Sequence, residues 1–390
     1  MELINMQTIQ AINWGELTPE KFLNEYWQKK PLLIKQALPG FNGTIDANEL
    51  AGLAMEQEIE SRIISNDSDN NWQVNHGPFE DFEQFGEKNW TLLVQAVNNW
   101  SKDTDALIDL FNFIPRWRID DVMVSFSTPN GGVGAHLDQY DVFILQGEGK
   151  RRWQVGAPDP NLTELLPHPD LKQVSNFTPI IDEITEAGDL LYIPPNHPHN
   201  GVSIENSLNF SIGFQAPSKQ DLWSGFADRL IDDNLGVQRF ADPTRSLSLS
   251  PELLSGKDIS EIKMFMQSQL QNESFFNQFI GKYLTQSHHT LELLIPMEAF
   301  TNDQVKAFTD DDSIQFVPVS GVKSLIIVEP EQVLFINGDM FQLTENTLEV
   351  AKLLTGKQPI SMLIAKTFIN CLKSNQLLTN VLNKGYWYID

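Results

Sequence analysis

Apolar positions change their spacing several times along this chain, and each change predicts a different kind of element. Near the start, Phe22, Leu23, Tyr26 and Trp27 recur at helical spacing behind Thr18 and Pro19. Thr18 suits an N-cap, Pro19 the first helical position, and Pro31 stops the helix before a short strand, "LLIK". The run "RIISNDSDNNWQVNHGPF" predicts strand, polar turn and strand, because Ser, Asn and Asp cluster between two alternating stretches. A second helix is expected from Trp90 to Trp100, "WTLLVQAVNNW".

From about Trp117 to Phe214 the texture becomes one of short strands separated by Gly, Pro and Asn turns, such as "DDVMVSFS", "DLLYIPP" and "LNFSIGF". That spacing predicts a jelly-roll sandwich or barrel with an interior wide enough for a small ligand. Within it, "DVFILQGEGKRRWQVG" is expected to run down the barrel, turn at Gly147 and Gly149, and return as one hairpin carrying Arg151.

After Ala216 the period is helical, in "DLWSGFADRLIDDNL" from Asp221 and "DISEIKMFMQSQLQNESFFNQFIGKYL" from Asp258, joined through "DPTRSLSLSPE" from Asp242. Trp223, Phe226, Phe265, Met266, Phe276, Phe279 and Tyr283 are more apolar surface than two helices bury on each other. These helices therefore pack on the barrel or form a dimer interface. The remaining residues mix "FTNDQVKAF", the pair "SLIIVEPEQVLFING" and two further helical runs in the order of a small α+β domain of winged-helix type. The division expected is a jelly-roll catalytic domain at 1–219, a helical dimerisation region at 220–287 and a winged-helix-like domain at 288–390.

Charge narrows the partners. Fifty-two Asp and Glu against 27 Lys and Arg leave a net charge of -25 over 390 residues. Such a surface repels phosphate backbones and anionic membranes and attracts basic proteins, although solubility alone also selects acidic surfaces. The last hundred residues hold 12 acidic side chains against seven Lys and no Arg, with "FTDDDS" at Phe308, so this winged-helix-like part reads as a protein-contact module. The single cysteine, Cys371, excludes an intramolecular disulfide and a zinc site built from thiolates. No segment approaches the roughly 20 apolar residues of a membrane span, and the start lacks a signal-peptide pattern, so a cytoplasmic protein is expected.

The chemistry centres on histidines. His136 and Asp138 form His-x-Asp, which strand period points to one face, and "IPPNHPHNG" sets His197 and His199 at the end of another strand some sixty residues later. Two imidazoles and a carboxylate on one face of a metal, with the opposite face open, suit a non-haem Fe(II) oxygenase. A His pair in a sandwich is ordinarily just a pair of satisfied polar residues. Here Arg151 accompanies it, and an Arg reaching into a barrel is costly unless it meets an anion.

These segments resemble the JmjC-type 2-oxoglutarate oxygenases, and in particular the bacterial ribosomal oxygenases that hydroxylate an arginine of a large-subunit ribosomal protein. The likeness is carried by "FLNEYWQKKPLLIK", "WRIDDVMVSFSTPNGGVGAHLDQYDVFILQGEGKRRWQVG" and "GDLLYIPPNHPHNGVSIENSLNFSIGF", and extends over most of the first 220 residues. It implies His136, Asp138 and His199 as iron ligands, His199 being preferred to His197 because it directly follows a Pro. It implies Arg151 as the partner of the distal carboxylate of 2-oxoglutarate, with Arg152 the alternative if the register slips by one. Asn209 matches a position contacting the cosubstrate end nearest the metal, and Ser127 faces the same pocket, where its hydroxyl can reach the distal carboxylate or serve only as a strand hydroxyl. The implied reaction consumes 2-oxoglutarate and O2 at Fe(II) and hydroxylates the β-carbon of an arginine, with Tyr140, Gln139 and Asp120 as candidates for holding its guanidinium. A homodimer acting on a basic ribosomal protein, without nucleic-acid or membrane contact, completes the expectation. The alternatives are a 2-oxoglutarate oxygenase acting on a His or Asn of another protein, or a non-catalytic metal-binding scaffold.

Overall fold

A computed structural model describes residues 11–67, 71–247 and 250–390. Two compact units divide the chain, the first running to Ala216 and taking in Ser287–Leu294 and Val319–Val322, the second comprising Pro217–Gln286, Ile295–Pro318 and Lys323–Asp390.

Among its described residues the first unit contains α1 (Pro19–Glu25), α2 (Ala47–Leu53) and α3 (Lys102–Ala106) around thirteen strands. The strands are β1 (Leu32–Ile34), β2 (Ser61–Asn66), β3 (Trp72–His76), β4 (Trp90–Val94), β5 (Ile119–Ser127), β6 (Asp141–Gln146) and β7 (Arg151–Gly156). Then follow β8 (Glu164–His168), β9 (Leu171–Val174), β10 (Pro179–Thr185), β11 (Leu190–Ile193), β12 (His199–Ser203) and β13 (Ser207–Phe214). An eight-stranded sheet in the order β1-β11-β6-β13-β5-β4-β2-β3 faces a three-stranded sheet β10-β7-β12, and β8 and β9 pair separately. This is the jelly roll. Thr18 does cap α1, its side chain accepting from the Lys21 N–H, with Pro19 at the first position.

Period-two alternation assigns the faces of the large sheet. Phe143 and Leu145 of β6, Val122 and Val124 of β5, and Phe210, Ile212 and Phe214 of β13 join one apolar core with Phe22, Leu50 and Phe111. Val142 and Ile144 of β6 turn the other way and pack with Trp153, Val155, Leu191 and Ile193 between the two sheets. A strand buried on both faces is apolar throughout, which is why "DVFIL" shows no alternation.

Two sequence expectations need correction. Residues Trp90 to Trp100 are not a helix: Trp90–Val94 is strand β4, buried throughout, followed by a 3-10 turn at Val97–Asn99. A short apolar run buried on both sides has no periodicity to separate strand from helix. Nor do β6 and β7 form a hairpin, since β6 pairs with β11 and β13 whereas β7 pairs with β10 and β12. The Gly147–Lys150 link crosses from one sheet to the other. Gly149, at φ +70, passes so close that a Cβ there would stand 2.0 Å from the Asn206 carbonyl oxygen. The tip of the β2–β3 turn, residues 68–70, lies outside the described residues.

The second unit holds α4 (Lys219–Asp232), α5 (Gly256–Gln267), α6 (Glu273–Thr285), α7 (Asn302–Phe308), α8 (Glu345–Leu354), α9 (Met362–Phe368) and α10 (Leu372–Asn383). Its strands are β14 (Gln315–Pro318), β15 (Ser324–Ile327), β16 (Val333–Ile336), β17 (Asp339–Gln342), β18 (Ile360–Ser361) and β19 (Trp387–Ile389). The helical run from Asp258 is thus two helices, because Asn272 caps α6 by accepting from the Phe275 N–H and so starts a new helix there. Phe226 of α4 packs with Phe275 and Phe279 of α6. In the linker from Asp242, residues 248 and 249 lie outside the described residues. No helix among the described residues is long and apolar enough to cross a membrane.

Candidate active site and metal centre

His136 and His199 stand opposite each other in an isolated antiparallel bridge, each backbone N–H donating to the other's carbonyl at 3.0 Å. The segment bearing Asp138 is tied down as well, since Asn196 N–H donates to the Asp138 carbonyl at 2.8 Å. One ligand atom from each of His136, Asp138 and His199 lies within 4.8 Å of the other two. His136 Nδ1 lies 2.9 Å from the Gly134 carbonyl, and His199 Nδ1 lies 2.9 Å from the His197 carbonyl. A carbonyl only accepts, so both Nδ1 atoms donate and each ring turns its Nε2 toward the triad. Tautomers fixed in this way are what metal-ligating imidazoles need. His199 Nε2 is 3.4 Å from Asp138 Oδ2.

The electrostatics agree with that arrangement. Burial, helped by the His199 charge, lowers the His136 imidazole to about 4. Burial works against the charge of Asp138, yet the hydrogen bond and charge of His199 bring its carboxyl down to about 2. His199 is pulled down by burial and more than restored by Asp138, ending raised. His136 and Asp138 are thus in the forms that bind a divalent metal, whereas His199 holds a proton toward Asp138 that a metal at Nε2 would displace. His197 lies outside the triad, its Nδ1 3.1 Å from the Pro195 carbonyl.

Arg151 enters the same cavity from β7 and is 4% exposed. Its guanidinium donates from Nη1 to Ser125 Oγ at 3.3 Å and from Nη2 to Ser127 Oγ at 2.7 Å and Ser207 Oγ at 3.1 Å, while Nε has no partner. All three acceptors are neutral. Burial alone pushes this guanidinium down to about 9, which measures the cost of a charge enclosed without a counter-ion. Arg152 points outward and pairs with Asp182 through two hydrogen bonds of 2.6 Å. Parity therefore separates the two arginines. Asn209, 1% exposed on the inner face of β13 between Ser207 and Ser211, leaves both Nδ2 and Oδ1 unpartnered. A buried amide without hydrogen bonds is rare in proteins and marks where a polar ligand belongs.

The cavity these residues enclose measures about 90 Å³, and Trp153, Ser125, Tyr140 and Asp121 line it with the triad and Arg151. Ser127 and Asn209 are not among the residues that line it. Of the three candidates for the substrate side chain, Tyr140 lines the cavity; Asp120 and the exposed Gln139 do not, and Asp121 takes their place. The reason is strand parity, with a bulge just beyond it. Ile212 pairs with Val122 but Phe214 pairs with Ile119, so β5 carries an extra residue opposite Gly213. Asp121 shares the face of Met123 and Ser125 and so enters the cavity, whereas Asp120 shares the parity of the core residues Val122 and Val124; the bulge changes only the face of Ile119, which joins the apolar core. Ser125 and Ser207 also escaped the sequence reading, although their parity with Ser127 and Asn209 was available to find them. Burial, reinforced by Asp138, Asp121 and Asp120, raises the Tyr140 hydroxyl well above its ordinary value, so it remains a donor.

Residues 106–222 match the family model for the JmjC domain, and residues 268–388 match a ROXA-like winged helix. Ribosomal protein uL16 3-hydroxylase of Escherichia coli is 39% identical, over 97% of this chain and 98% of that protein. The chain belongs to the JmjC ribosomal oxygenase family. A probable ribosomal oxygenase of Haemophilus influenzae is 33% identical over 83% of this chain and 82% of its own. An X-ray structure of Escherichia coli YcfD superposes with a TM-score of 0.90 at 38% identity, covering 96% of this chain and 99% of that one. YcfD in complex with cobalt and 2-oxoglutarate gives a TM-score of 0.87 at 36% identity, over 97% and 99% of the two chains. Membership in this family accounts for the winged-helix order of the last hundred residues as well as for the jelly roll.

Proposed function

We propose that this chain is an Fe(II)- and 2-oxoglutarate-dependent protein hydroxylase acting on the β-carbon of an arginine in the large-subunit ribosomal protein uL16. The observation that carries the reading is Arg151, a buried cation bonded only to neutral hydroxyls, in the same cavity as a His-Asp-His triad. His136, Asp138 and His199 would hold the iron through Nε2, a carboxylate oxygen and Nε2. With 2-oxoglutarate and O2, the bound iron supplies the oxidising power for inserting one oxygen into an unactivated C–H bond. Arg151 would take the distal carboxylate, which supplies the missing counter-charge and a partner for the orphaned Nε. Ser127, Ser125 and Ser207 orient the guanidinium, and Ser127 is itself oriented by Thr91, 2.9 Å away. Asn209 offers an unpartnered amide to the cosubstrate end nearest the metal.

At the mouth, Asp121 would receive the substrate guanidinium, with the Tyr140 hydroxyl beside it. Asp121 Oδ2 accepts from the Ala96 N–H at 2.9 Å, so the carboxylate is oriented before any substrate arrives. A non-catalytic scaffold gives no account of an uncompensated guanidinium buried behind three serines. The net charge of -25 supports a basic protein partner and disfavours nucleic acid. We assign the chain to the cytoplasm on its substrate. Residues 1–219 serve as the catalytic domain, 220–287 as a helical dimerisation region and 288–390 as the winged-helix domain, with a homodimer as the working form. Support for the dimer comes from exposed Trp223, Ile259, Met264 and Met266 on α4 and α5.

The test is mass spectrometry of purified uL16 after incubation with the enzyme, Fe(II) and 2-oxoglutarate. One added oxygen on an arginine, absent without 2-oxoglutarate, is expected; an unmodified uL16 with another ribosomal protein oxidised would overturn the assignment of substrate.

A further inference from the structure

Two pieces of chain from beyond α6, Ser287–Leu294 and Val319–Val322, belong to the compact unit that holds the cavity. Both reach the 3-10 turn at Val97–Asn99. Asn99 Nδ2 donates to the Thr290 carbonyl at 2.9 Å, and Gly321, at φ +74, lies so close that a Cβ would stand 1.9 Å from Asn99 Oδ1. The turn in turn grips the start of β5. Asn98 Oδ1 accepts from the Val122 N–H at 2.7 Å, and Ala96, held at φ +48, donates its N–H to Asp121. A non-glycine residue in the left-handed region persists only where its surroundings impose it. His289 then comes directly to the rim: its Nε2 is 3.8 Å from Asp121 Oδ2 and its Nδ1 3.7 Å from Glu60 Oε2.

We propose that His289 is a positioning residue for the substrate cation, lying between the Glu60 and Asp121 carboxylates and holding Asp121 toward the cavity. The inference rests on the reading of Asp121 as the guanidinium acceptor. Two carboxylates at one rim repel each other, and an imidazole placed between them separates them and turns one ring nitrogen toward each. Without it, no imidazole stands between Asp121 and Glu60. The contact distances exceed those of direct hydrogen bonds, so His289 acts through charge and steric placement.

The experiment uses the full chain with Fe(II), 2-oxoglutarate and a synthetic uL16 peptide bearing the target arginine. His289→Ala is expected to raise the peptide KM roughly three- to five-fold, the scale of a partly exposed ion pair, while kcat moves by a smaller factor. His289→Gln, which fills the same space without a charge, should recover only part of that loss. Asp121→Asn should raise the peptide KM further than either. An unchanged KM in His289→Ala beside a raised KM in Asp121→Asn would refute the role of His289 and leave the cation subsite standing. An unchanged KM in Asp121→Asn would refute the subsite itself, and the inference with it. Equal rises in the KM values for peptide and 2-oxoglutarate in His289→Ala would show a general loss of structure and overturn the proposal.

Discussion

Ser127 Oγ accepts from Arg151 Nη2 at 2.7 Å, and that hydroxyl also meets Thr91 Oγ1 at 2.9 Å. The bond joins β5 of the large sheet to β7 of the small one, so the guanidinium is held from the wall opposite its own strand. Arg151 thereby arrives pre-oriented, and an incoming carboxylate need not order it.

Replacing that buried charge separates stability from binding. In Arg151→Met the ligand-free protein should be as stable as the parent, or more stable by about 1 kcal/mol, because an unpaired guanidinium leaves the interior. The KM for 2-oxoglutarate should rise by roughly ten- to a hundred-fold, since charge-assisted hydrogen bonds are each worth about 1.5–3 kcal/mol. Chemical denaturation and steady-state kinetics check the two halves. A marked fall in stability would mean that the serine shelf satisfies the guanidinium by itself.

Asp138→Ala removes the only carboxylate of the triad while the backbone bridge between His136 and His199 remains to hold both imidazoles. Succinate formation should fall to background and the affinity for Co(II), measured calorimetrically, should drop by at least about ten-fold. The melting temperature of the metal-free protein should stay within about 4 °C, the shift that roughly 1 kcal/mol makes in a unit of this size. Undiminished turnover would remove the triad from the chemistry.

Much of this site was legible before any coordinates. Strand period puts His136 and Asp138 on a shared face, while the family resemblance singled out His199 and Arg151 and left Arg152 open to a one-residue slip of register. What stayed hidden depended on pairing between distant strands. The β5 bulge that turns Ile119 to the core exists only against Gly213, and the separation of β6 from β7 is set by which strands flank each of them. The strand at Trp90–Val94 was hidden for a local reason, its burial on both faces, which erases the alternation that marks a strand. The support of Asn99 by Thr290, 191 positions later, has no sequence signature at all.

The C-terminal "GYW" carries a pH prediction. Tyr386 Oη donates to Asp339 Oδ2 at 2.7 Å, and Lys384 Nζ lies 2.9 Å from the same oxygen. Burial and the Asp339 charge raise the Tyr386 hydroxyl above its ordinary value; burial opposes the charge of Asp339, but Lys384 and Tyr386 lower its carboxyl overall. A raised Tyr contributes stability that is complete below its ordinary value near 10 and is lost as pH rises past it. A lowered Asp contributes stability present above its ordinary value of 3.8 and lost as pH falls below it. Tyr386→Phe should therefore flatten the alkaline loss of stability above pH ~10 and lower stability near neutrality by about 1 kcal/mol. Urea denaturation across pH reads both, and an unaltered alkaline limb would show that Tyr386 does not govern it.

The last prediction concerns assembly. On α5, Ile259, Ile262 and Met266 stand at i, i+3 and i+7, on one stripe, and are 54%, 39% and 64% exposed. A monomer gains nothing from such a stripe, and charge on it should cost only the association that covers it. The double variant Ile259→Glu/Met266→Glu is accordingly expected to halve the mass measured by light scattering while retaining the helical circular dichroism of the parent. A C2 interface presents the same stripe from both copies, so four like charges would meet across it and repel. An unchanged mass in the variant would place the dimer contact elsewhere, and a parent that already runs as a monomer would refute the dimer outright.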